Sequence, residues 1–389
     1  LYGFLNGTAV INTTSGVSNG TNSVQANENF WFFGGSGSSY NTDAQVIDIF
    51  VYGGSGVTSY TTPTAPLIGS DGSINHFSGF SDSDALYISP GIAAPAKSPS
   101  SNQGTGHRAL TGGGYNGSTQ QDHIDYLTIS TLGNAQDFGN LNSARYAMTG
   151  LANSTRGIVA GGTPVPTNME FVTIASTGGG TSFGTMANHG EFPIGLANQT
   201  RGIIAGGTTV DTISYVTIAS TGDSQDFGNL TLARRRPTAC ASSVRGIVAG
   251  GQTTNVIDYF TISTTGNSQD FGDCMSTVLT AGGCSNSVRG IFAGGTRSGS
   301  FTQASSEFIT IASTGNGQEF GDLTLARRAM GAASSSTRAV FMGGYDSPNN
   351  YNRVDSMEIM TTGDAIDFGD LNESFNSGKF GFSNGHGGL

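Results

Sequence analysis

The chain has 389 residues and a net charge of −11, which argues against a general nucleic-acid-binding surface, because such a surface needs clustered cations to release counterions from phosphates. No apolar stretch approaches the roughly 20 residues that span a bilayer, and we expect neither a nucleic-acid partner nor membrane insertion. The 61 glycines separate periodically placed apolar residues, a pattern typical of many short strands joined by tight turns.

Residues 1–106 differ in pattern from the rest of the chain. Aromatic and β-branched runs at residues 30–35 and 46–52 are bounded by glycines and predict strands. Residues 90–102 contain three prolines among Ala and Ser and predict an extended linker. We therefore predict a smaller β-rich domain over residues 1–106 and a second domain over residues 107–389.

The second domain is a repeat. Each copy begins with an arginine that precedes an apolar strand and a Gly-Gly pair, as in residues 245–251 (RGIVAGG). These repeat arginines are Arg108, Arg156, Arg201, Arg245, Arg289 and Arg338, separated by 48, 45, 44, 44 and 49 residues. Such a period, with strand-like patterning and no helical periodicity, predicts one blade of a β-propeller per copy.

Two further features recur in every copy. A strand that usually starts with an aromatic residue ends at a closing glycine, as in residues 259–266, and a Phe-Gly pair follows it after a short turn. The recurring phenylalanines are Phe138, Phe183, Phe227, Phe271, Phe320 and Phe368. From each closing glycine to the next repeat arginine there are always 23 residues, so all variation in length falls in the loop after Gly-Gly.

The strands of a blade are named a to d from the axis outward. From Arg108 the order along the chain is b, c, d, a, and the last a segment, predicted near residues 374–385, completes the first blade. We predict an all-β fold, a six-bladed propeller with a separate N-terminal β-rich domain. Seven blades are the alternative if residues 30–52 supply an extra one.

The order of these segments resembles the kelch repeat. In that family an apolar strand ends in Gly-Gly, an aromatic strand follows, and a Trp-containing strand and an Arg precede the innermost strand. Residues 247–251, 259–262 and 270–272 match this order, with Phe271 in place of Trp. The resemblance covers residues 107–389 and departs at the Arg position, which Arg145, Arg234 and Arg327 fill but Gly190, Val278 and Phe375 do not.

The amino-acid sequences of individual repeats resemble a narrower group of proteins. Residues 174–178 (IASTG), 322–327 (DLTLAR) and 383–389 (SNGHGGL) are similar to kelch-like repeat proteins of marine tailed bacteriophages of cyanobacteria and similar hosts. The resemblance implies a virion location and a structural role, in a tail fibre or appendage. The resemblance identifies no ligand. We predict that the N-terminal region attaches the propeller to other virion proteins and to further copies of the chain, and that a host-surface glycan or protein is a further partner.

No residue pattern points to catalysis, a metal or a cofactor. The Asp-Phe-Gly triplets lack the Gly-rich loop, strand Lys and catalytic loop of a kinase, and we predict that their phenylalanines pack between blades. The histidines are dispersed, and Cys240, Cys274 and Cys284 occupy core positions of the repeat. The run at residues 234–236 is the one arginine cluster, which leaves an anion site open.

Surface recognition remains as the predicted activity. Because strands alternate in direction, the b–c loops lie at the same end of the propeller as the d–a loops. These b–c loops are rich in Asn, Ser, Thr, Tyr and Arg, a composition suited to adaptable hydrogen bonding and stacking. The predicted binding residues are Tyr115, Asn116, Asn168, Asn255, Arg297, Phe301, Tyr345, Asp346, Asn350, Tyr351 and Arg353.

Two other functions stay open. The chain could decorate a capsid or tail by packing on neighbouring virion proteins, or it could act on a polysaccharide. The second requires carboxylates or metal ligands gathered in the axial channel or on the loop face, and no spacing in the sequence predicts such a cluster.

Overall fold

The computed structural model describes five strands in the first 107 residues and then residues 108–298, 301–375 and 380–389. All of these residues are in strands, turns or irregular segments, and none is helical. The described part of the chain thus contains no helix long and apolar enough to cross a membrane. The chain separates into two compact units, Leu1–Gln103 and Gly104–Leu389.

The first unit contains two small antiparallel sheets. Its strands are Tyr2–Leu5 (β1), Thr8–Asn12 (β2), Phe30–Gly34 (β3), Asp48–Tyr52 (β4) and Ala85–Ile88 (β5). β1 pairs with β2, and β4 lies between β3 and β5. The predicted strands at residues 30–35 and 46–52 are confirmed, whereas the linker at residues 90–102 and the boundary after residue 106 lie outside the described residues and stay predictions.

The second unit is a six-bladed β-propeller. Its strands are β6 (Arg108–Gly112), β7 (His123–Thr128), β8 (Gln136–Asn140), β9 (Thr149–Ala152), β10 (Arg156–Ala160), β11 (Asn168–Thr173), β12 (Thr181–Thr185), β13 (Ile194–Ala197), β14 (Arg201–Ala205), β15 (Val210–Thr217), β16 (Gln225–Arg234), β17 (Thr238–Ala241), β18 (Arg245–Ala249), β19 (Val256–Thr261), β20 (Gln269–Asp273), β21 (Val278–Leu279), β22 (Gly282–Ser285), β23 (Arg289–Ala293), β24 (Thr296–Arg297), β25 (Ser305–Thr310), β26 (Gln318–Asp322), β27 (Gly331–Ser334), β28 (Arg338–Met342), β29 (Tyr345–Asp346), β30 (Asn349–Glu358), β31 (Ile366–Phe375) and β32 (Phe380–Ser383).

Each blade is an antiparallel sheet with strands a to d in that order. Blades 1 to 6 are β32-β6-β7-β8, β9-β10-β11-β12, β13-β14-β15-β16, β17-β18-β19-β20, β22-β23-β25-β26 and β27-β28-β30-β31. The a strands touch in a closed ring, β32, β9, β13, β17, β22, β27 and back to β32. The predicted six blades are confirmed, and the seven-blade alternative is wrong because β3 and β4 form a separate sheet with β5.

The C-terminal strand closes the ring, as predicted. Phe380 pairs with Gly112 and Ser383 with Ala109. Asn384 Oδ1 accepts a hydrogen bond from the Arg108 amide at 3.1 Å, the bond that Asn153 Oδ1 accepts from the Arg156 amide in blade 2 at 2.8 Å. The closing strand is shorter than the predicted 374–385, because β31 continues outward to Phe375.

Apolar side chains fill the space between neighbouring blades. Six clusters of buried residues each combine positions from two adjacent blades, and each contains one of the recurring phenylalanines. Phe227, for example, lies edge-on to Tyr215 of its own blade, with ring centroids 6.1 Å apart. The predicted packing role of these phenylalanines is confirmed, since each buried ring removes a large apolar area from water.

We call the end formed by the a–b and c–d turns the constant face, because its contacts repeat around the ring. Each repeat arginine donates from Nη1 to the carbonyl of an isoleucine of the next blade, at 2.9–3.1 Å. In blades 1 to 5 the same guanidinium stacks on the strand-c aromatic ring of its own blade, 4.1–4.7 Å from the centroid. The repeat arginines therefore join blades and are not free to bind ligands.

The closing glycines form a second ring of contacts on the constant face. The amide of each one donates to the carbonyl of the recurring phenylalanine in the preceding blade, at 2.7–2.9 Å. The glycine that follows that phenylalanine allows this approach: a Cβ on Gly228 would lie 2.4 Å from the Gly266 carbonyl oxygen, and its φ is +145°. Only glycine fits this position without strain.

Candidate binding face

The b–c and d–a loops meet on the opposite end, which we call the variable face. The Gly114 amide in the first b–c loop donates to the Arg145 carbonyl in the following d–a segment at 2.9 Å. Tyr146 of that segment pairs with Thr163 in the b–c loop of the next blade. The two loop sets therefore support one another, as strand alternation predicts.

The structure brings the predicted binding residues together in two places. Asn350 Nδ2 donates to the Asn116 carbonyl at 3.1 Å, which joins the b–c loops of blades 6 and 1. Around Arg328, the rings of Phe301 and Tyr345 lie 3.7 and 5.5 Å from the guanidinium carbon. These contacts show that residues from different loops lie next to one another. Ligand binding by any of these residues stays a prediction.

The other predicted residues are spread around the face. Asn168 is exposed at the start of β11, and Asn255 is half-buried before β19. Tyr351 and Arg353 lie within β30, and Arg353 is ion-paired with Asp355 at 3.2 Å. Asp346 accepts a hydrogen bond from the Thr302 hydroxyl at 2.8 Å.

Arg297 is placed differently from the exposed loop residue that the sequence suggests. It forms the short strand β24 with β21 and is only 7% exposed. Its Nη1 pairs with Glu307 at 2.5 Å, and Nη2 donates to the Phe292 carbonyl at 3.0 Å. Its guanidinium is therefore engaged in the blade and is not presented to a ligand at the surface.

Arg297 belongs to a buried polar layer beneath the variable face, which we call the clamp layer. At its centre is the residue just before the strand-c aromatic position, which is acidic in every blade but the third: Asp125, Glu170, Ser214, Asp258, Glu307 and Asp355. Buried arginines pair with four of the carboxylates, including Arg234 with Asp258 at 3.0 Å and Arg327 with Asp355 at 2.9 Å. Such pairs are stable when both partners stay hydrogen-bonded.

In the three blades that lack the kelch-type arginine, a different side chain contacts the central residue of the clamp layer. In blade 1 the Asn372 side chain donates to Asp125 at 2.6 Å. In blade 3 the His189 ring contacts Ser214 Oγ and the Gly206 carbonyl, both at 2.8 Å, and burial lowers its pKa. In blade 5 Arg297 reaches Glu307 from the b–c loop. The sequence signal for this layer is an acidic residue immediately before the strand-c aromatic position in every blade but the third.

An axial cavity of about 100 Å³ opens between the inner strands near the variable face. Its walls are mostly glycine, alanine and threonine, with Met148, Phe192, Arg236 and Met330 among the larger side chains. At the other end the C-terminal tail crosses the axis: His386 Nε2 contacts the Ala152 carbonyl at 2.7 Å, and the Gly387 amide donates to the Ser285 carbonyl at 2.8 Å. Arg236 and Phe192, which were not among the predicted binding residues, thus line the axial opening.

The described residues of the propeller contain neither a cluster of metal-ligating side chains nor an exposed thiol. Within residues 108–298, 301–375 and 380–389, no three His, Cys, Asp or Glu side chains are grouped to hold a metal ion. Cys240, Cys274 and Cys284 are buried free thiols, and burial raises the pKa of each. These positions serve as small apolar residues of the core.

No protein-family model matches the chain, and a comparison with curated proteins also gives no match.

Proposed function

We propose that this chain is a non-enzymatic structural protein of a tailed-phage virion, a tail-fibre or appendage component that presents the variable face of its propeller to the host surface. The repeat wording supports the virion assignment through its resemblance to kelch-like phage proteins. The role in recognition draws on the geometry of the two faces.

The observation that carries the proposal is the separation of constant and variable contacts. The constant face repeats one set of backbone-directed hydrogen bonds in all six blades. The b–c loops differ in length and sequence from blade to blade, and Phe301, for example, is 53% exposed there. A rigid ring that carries diverse exposed loops is how many scaffolds present binding residues.

The N-terminal unit has a separate task in this proposal. Residues 1–106 attach the chain to other virion proteins and to further copies of itself, so that several propellers are displayed on one particle. Several weak contacts with the host surface then act together, since linked binding sites raise the effective concentration of one another.

Competition with the phage tests the recognition role. The purified chain is added to host cells before infection, and phage adsorption is measured. The chain should reduce adsorption in a concentration-dependent way, and a triple variant Tyr115→Ala, Asn168→Ala, Phe301→Ala should compete less well.

The control is the double variant Val244→Ala, Val288→Ala, which removes two exposed side chains of the constant face. It should compete as well as the original chain. Unchanged competition by the variable-face variant, or no competition by the chain itself, would count against a recognition role. A particle reconstruction that shows the propeller packed on capsid or tail subunits would favour decoration.

A further inference from the structure

Arg236 lines the axial cavity and has no ion-pair partner there. None of the ion pairs among the described residues includes its guanidinium group, and its Nε is buried without a hydrogen-bond partner. The Phe192 ring lines the same cavity, and its centroid lies 4.2 Å from the guanidinium carbon of Arg236. The two side chains are thus in contact on the wall of a single cavity.

The two arginines that precede Arg236 both have carboxylate partners. Arg234 pairs with Asp258 at 3.0 Å. Arg235 pairs with Glu191, also at 3.0 Å. In this run of three arginines, the one that lines the cavity is therefore the one whose charge is not paired, and a half-buried charge without a partner is costly.

The backbone holds Arg236 in place through a collar of residues around the axis. Five residues, each two positions before an inner strand, have φ between 56° and 60°: Ala147, Phe192, Arg236, Thr280 and Ala329. The Thr280 amide donates to the Arg236 carbonyl at 3.1 Å, and the Ala329 amide donates to the Thr280 carbonyl at 2.9 Å. Because a left-handed conformation is uncommon for residues other than glycine, its recurrence shows that the d–a connections impose it. The fold therefore keeps the Arg236 backbone at the cavity.

The floor of the cavity is a ring of small residues, one from each inner strand. They are Gly150, Gly195, Ala239, Gly283, Ala332 and Gly381. The same six residues line a second cavity, of about 60 Å³, which His386 of the C-terminal tail also lines. A Cβ on Gly195 would lie 2.7 Å from the Gly150 carbonyl oxygen, so the inner strands are in close backbone contact at this level. The cavity with Arg236 is thus a shallow cup near the variable face.

The charge and the walls of the cup indicate a small acid with an apolar part. Arg236 supplies one positive charge, and Met148, Phe192 and Met330 supply apolar surface. A doubly charged anion such as sulfate would keep one charge uncompensated after it left water, which is costly. A carboxylate carries a single charge, and its two oxygens match the planar guanidinium group.

The volume of the cavity limits the size of this acid. The cavity measures about 100 Å³. Because an apolar cavity of about 150 Å³ holds one benzene molecule, this volume suits a ligand of about four to five non-hydrogen atoms. Acetate and propionate have this size.

We propose that the axial cavity binds a short aliphatic monocarboxylate, with the carboxylate on Arg236 and the alkyl group against the apolar walls. Such a ligand is a second binding function, separate from the proposed recognition of the host surface.

A titration of the full chain with propionate, followed by ligand-observed NMR in a buffer free of other carboxylates, tests the inference. Propionate should bind. Propionamide, which has the same shape and no charge, should bind at least tenfold more weakly, and so should sulfate and phosphate. Arg236→Gln should weaken propionate binding about tenfold or more, because it removes a charge-assisted hydrogen bond.

The matched control is Arg328→Gln. Arg328 lies on the variable face and has no ion-pair partner among the described residues, but it does not line the cavity. Its loss removes the same charge from the same face and should change the affinity for propionate by less than about threefold, since salt screens charges outside the cavity. Thermal unfolding of each variant confirms that it is folded.

Four results would overturn the inference. They are no binding of propionate, equal binding of propionamide, binding of sulfate or phosphate that matches propionate, and equal affinities of the Arg236→Gln and Arg328→Gln variants.

The two proposals fail separately. The loop residues Tyr115, Asn168 and Phe301, which the adsorption experiment tests, do not line the cavity. A chain that binds propionate but does not compete for adsorption therefore keeps the cavity site and contradicts the recognition role. A chain that competes for adsorption but does not bind propionate supports recognition and contradicts the cavity site.

Discussion

The constant and variable faces hold the same six blades together in different ways. On the constant face the repeat arginines and the closing glycines donate to backbone carbonyls of a neighbouring blade, as in the bond from Arg338 Nη1 to the Ile129 carbonyl at 3.0 Å that joins blade 6 to blade 1. In the clamp layer under the variable face the contacts are between side chains: a carboxylate accepts from arginine or asparagine, and in blade 3 the Ser214 hydroxyl contacts the His189 ring.

This difference between the two faces shows which positions of the repeat can carry different residues in different blades. A carbonyl acceptor is present whatever residue occupies the position, so the constant-face contacts survive substitution in the neighbouring blade. A side-chain acceptor must be matched by a donor of the right length and charge. The clamp layer therefore varies in matched pairs, and the loops above it vary freely, which confines diversity to one end of the propeller.

The largest loss of folding stability is expected for a variant that lacks residues 380–389. It removes β32, whose Phe380 and Phe382 are buried between blades 1 and 2. Loss of a buried Phe costs about 3–5 kcal/mol, and two such losses approach the whole stability of an ordinary domain, about 5–15 kcal/mol. Circular dichroism and chemical denaturation should show a propeller without a cooperative transition.

The matched variant lacks only residues 386–389. It keeps β32 and the Asn384 turn but loses the tail contacts of His386 and Gly387. These hydrogen bonds contribute about 0.5–1.5 kcal/mol each, so the variant should fold with lower stability. Cooperative unfolding of the longer deletion would show that β32 is not needed to close the ring.

The next largest loss of stability is expected when a buried ion pair of the clamp layer is broken. A partly exposed ion pair serves as the comparison. Asp258→Ala leaves Arg234 buried without its carboxylate, and we expect a loss of about 3–5 kcal/mol in the free energy of unfolding. Glu191→Ala breaks the partly exposed pair with Arg235 and should cost at most about 1 kcal/mol. Urea denaturation of both variants measures the difference, and equal losses would contradict a special role for the clamp layer.

Much of the fold could be predicted because the constant face leaves a strict spacing in the sequence. The fixed 23 residues between closing glycine and repeat arginine contain the end of the c–d turn, strand d, the d–a connection, strand a and the a–b turn, and their total length is the same in every copy. The recurring phenylalanines were placed correctly for the same reason. Each must fill the same gap between two blades.

The binding face was harder to predict, because its contacts join residues far apart in sequence. Arg297 was predicted as a loop residue, and nothing local indicates that it replaces a missing clamp arginine by pairing with Glu307. Phe192 and Arg236 precede the inner strands of different blades and come into contact at the axial cavity. A predicted anion site at residues 234–236 could not reveal that Arg234 is buried in the clamp layer while Arg236 lines the cavity.

A smaller effect is expected from the glycines of the constant face. Gly228→Ala would put a Cβ 2.4 Å from the Gly266 carbonyl oxygen at a φ of +145°, whereas a Cβ on Gly222 would meet no atom within 4 Å. Strain of this kind costs about 1–3 kcal/mol. Gly228→Ala should lower the free energy of unfolding by that amount, and Gly222→Ala should change it by less than about 0.5 kcal/mol. A reversed order would show that the backbone contact is not tight.

The smallest effect concerns pH, since blade 3 holds a histidine where the clamp layer elsewhere has arginine or asparagine. Burial lowers the pKa of His189 below its ordinary value of 6.5, so the unfolded chain takes up a proton at a pH where the folded chain does not. The stability contributed by neutral His189 is fully present above about pH 6.5 and is lost as the pH falls from there towards the lowered pKa, at up to about 1.4 kcal/mol per pH unit.

His189→Gln keeps a donor for the Gly206 carbonyl and an acceptor for Ser214 but does not titrate. The other titrating groups are common to both chains, so the stability difference between them should shift in favour of the variant as the pH is lowered from 7 to 5. Parallel pH profiles would mean that the blade 3 clamp is as insensitive to protons as the arginine clamps.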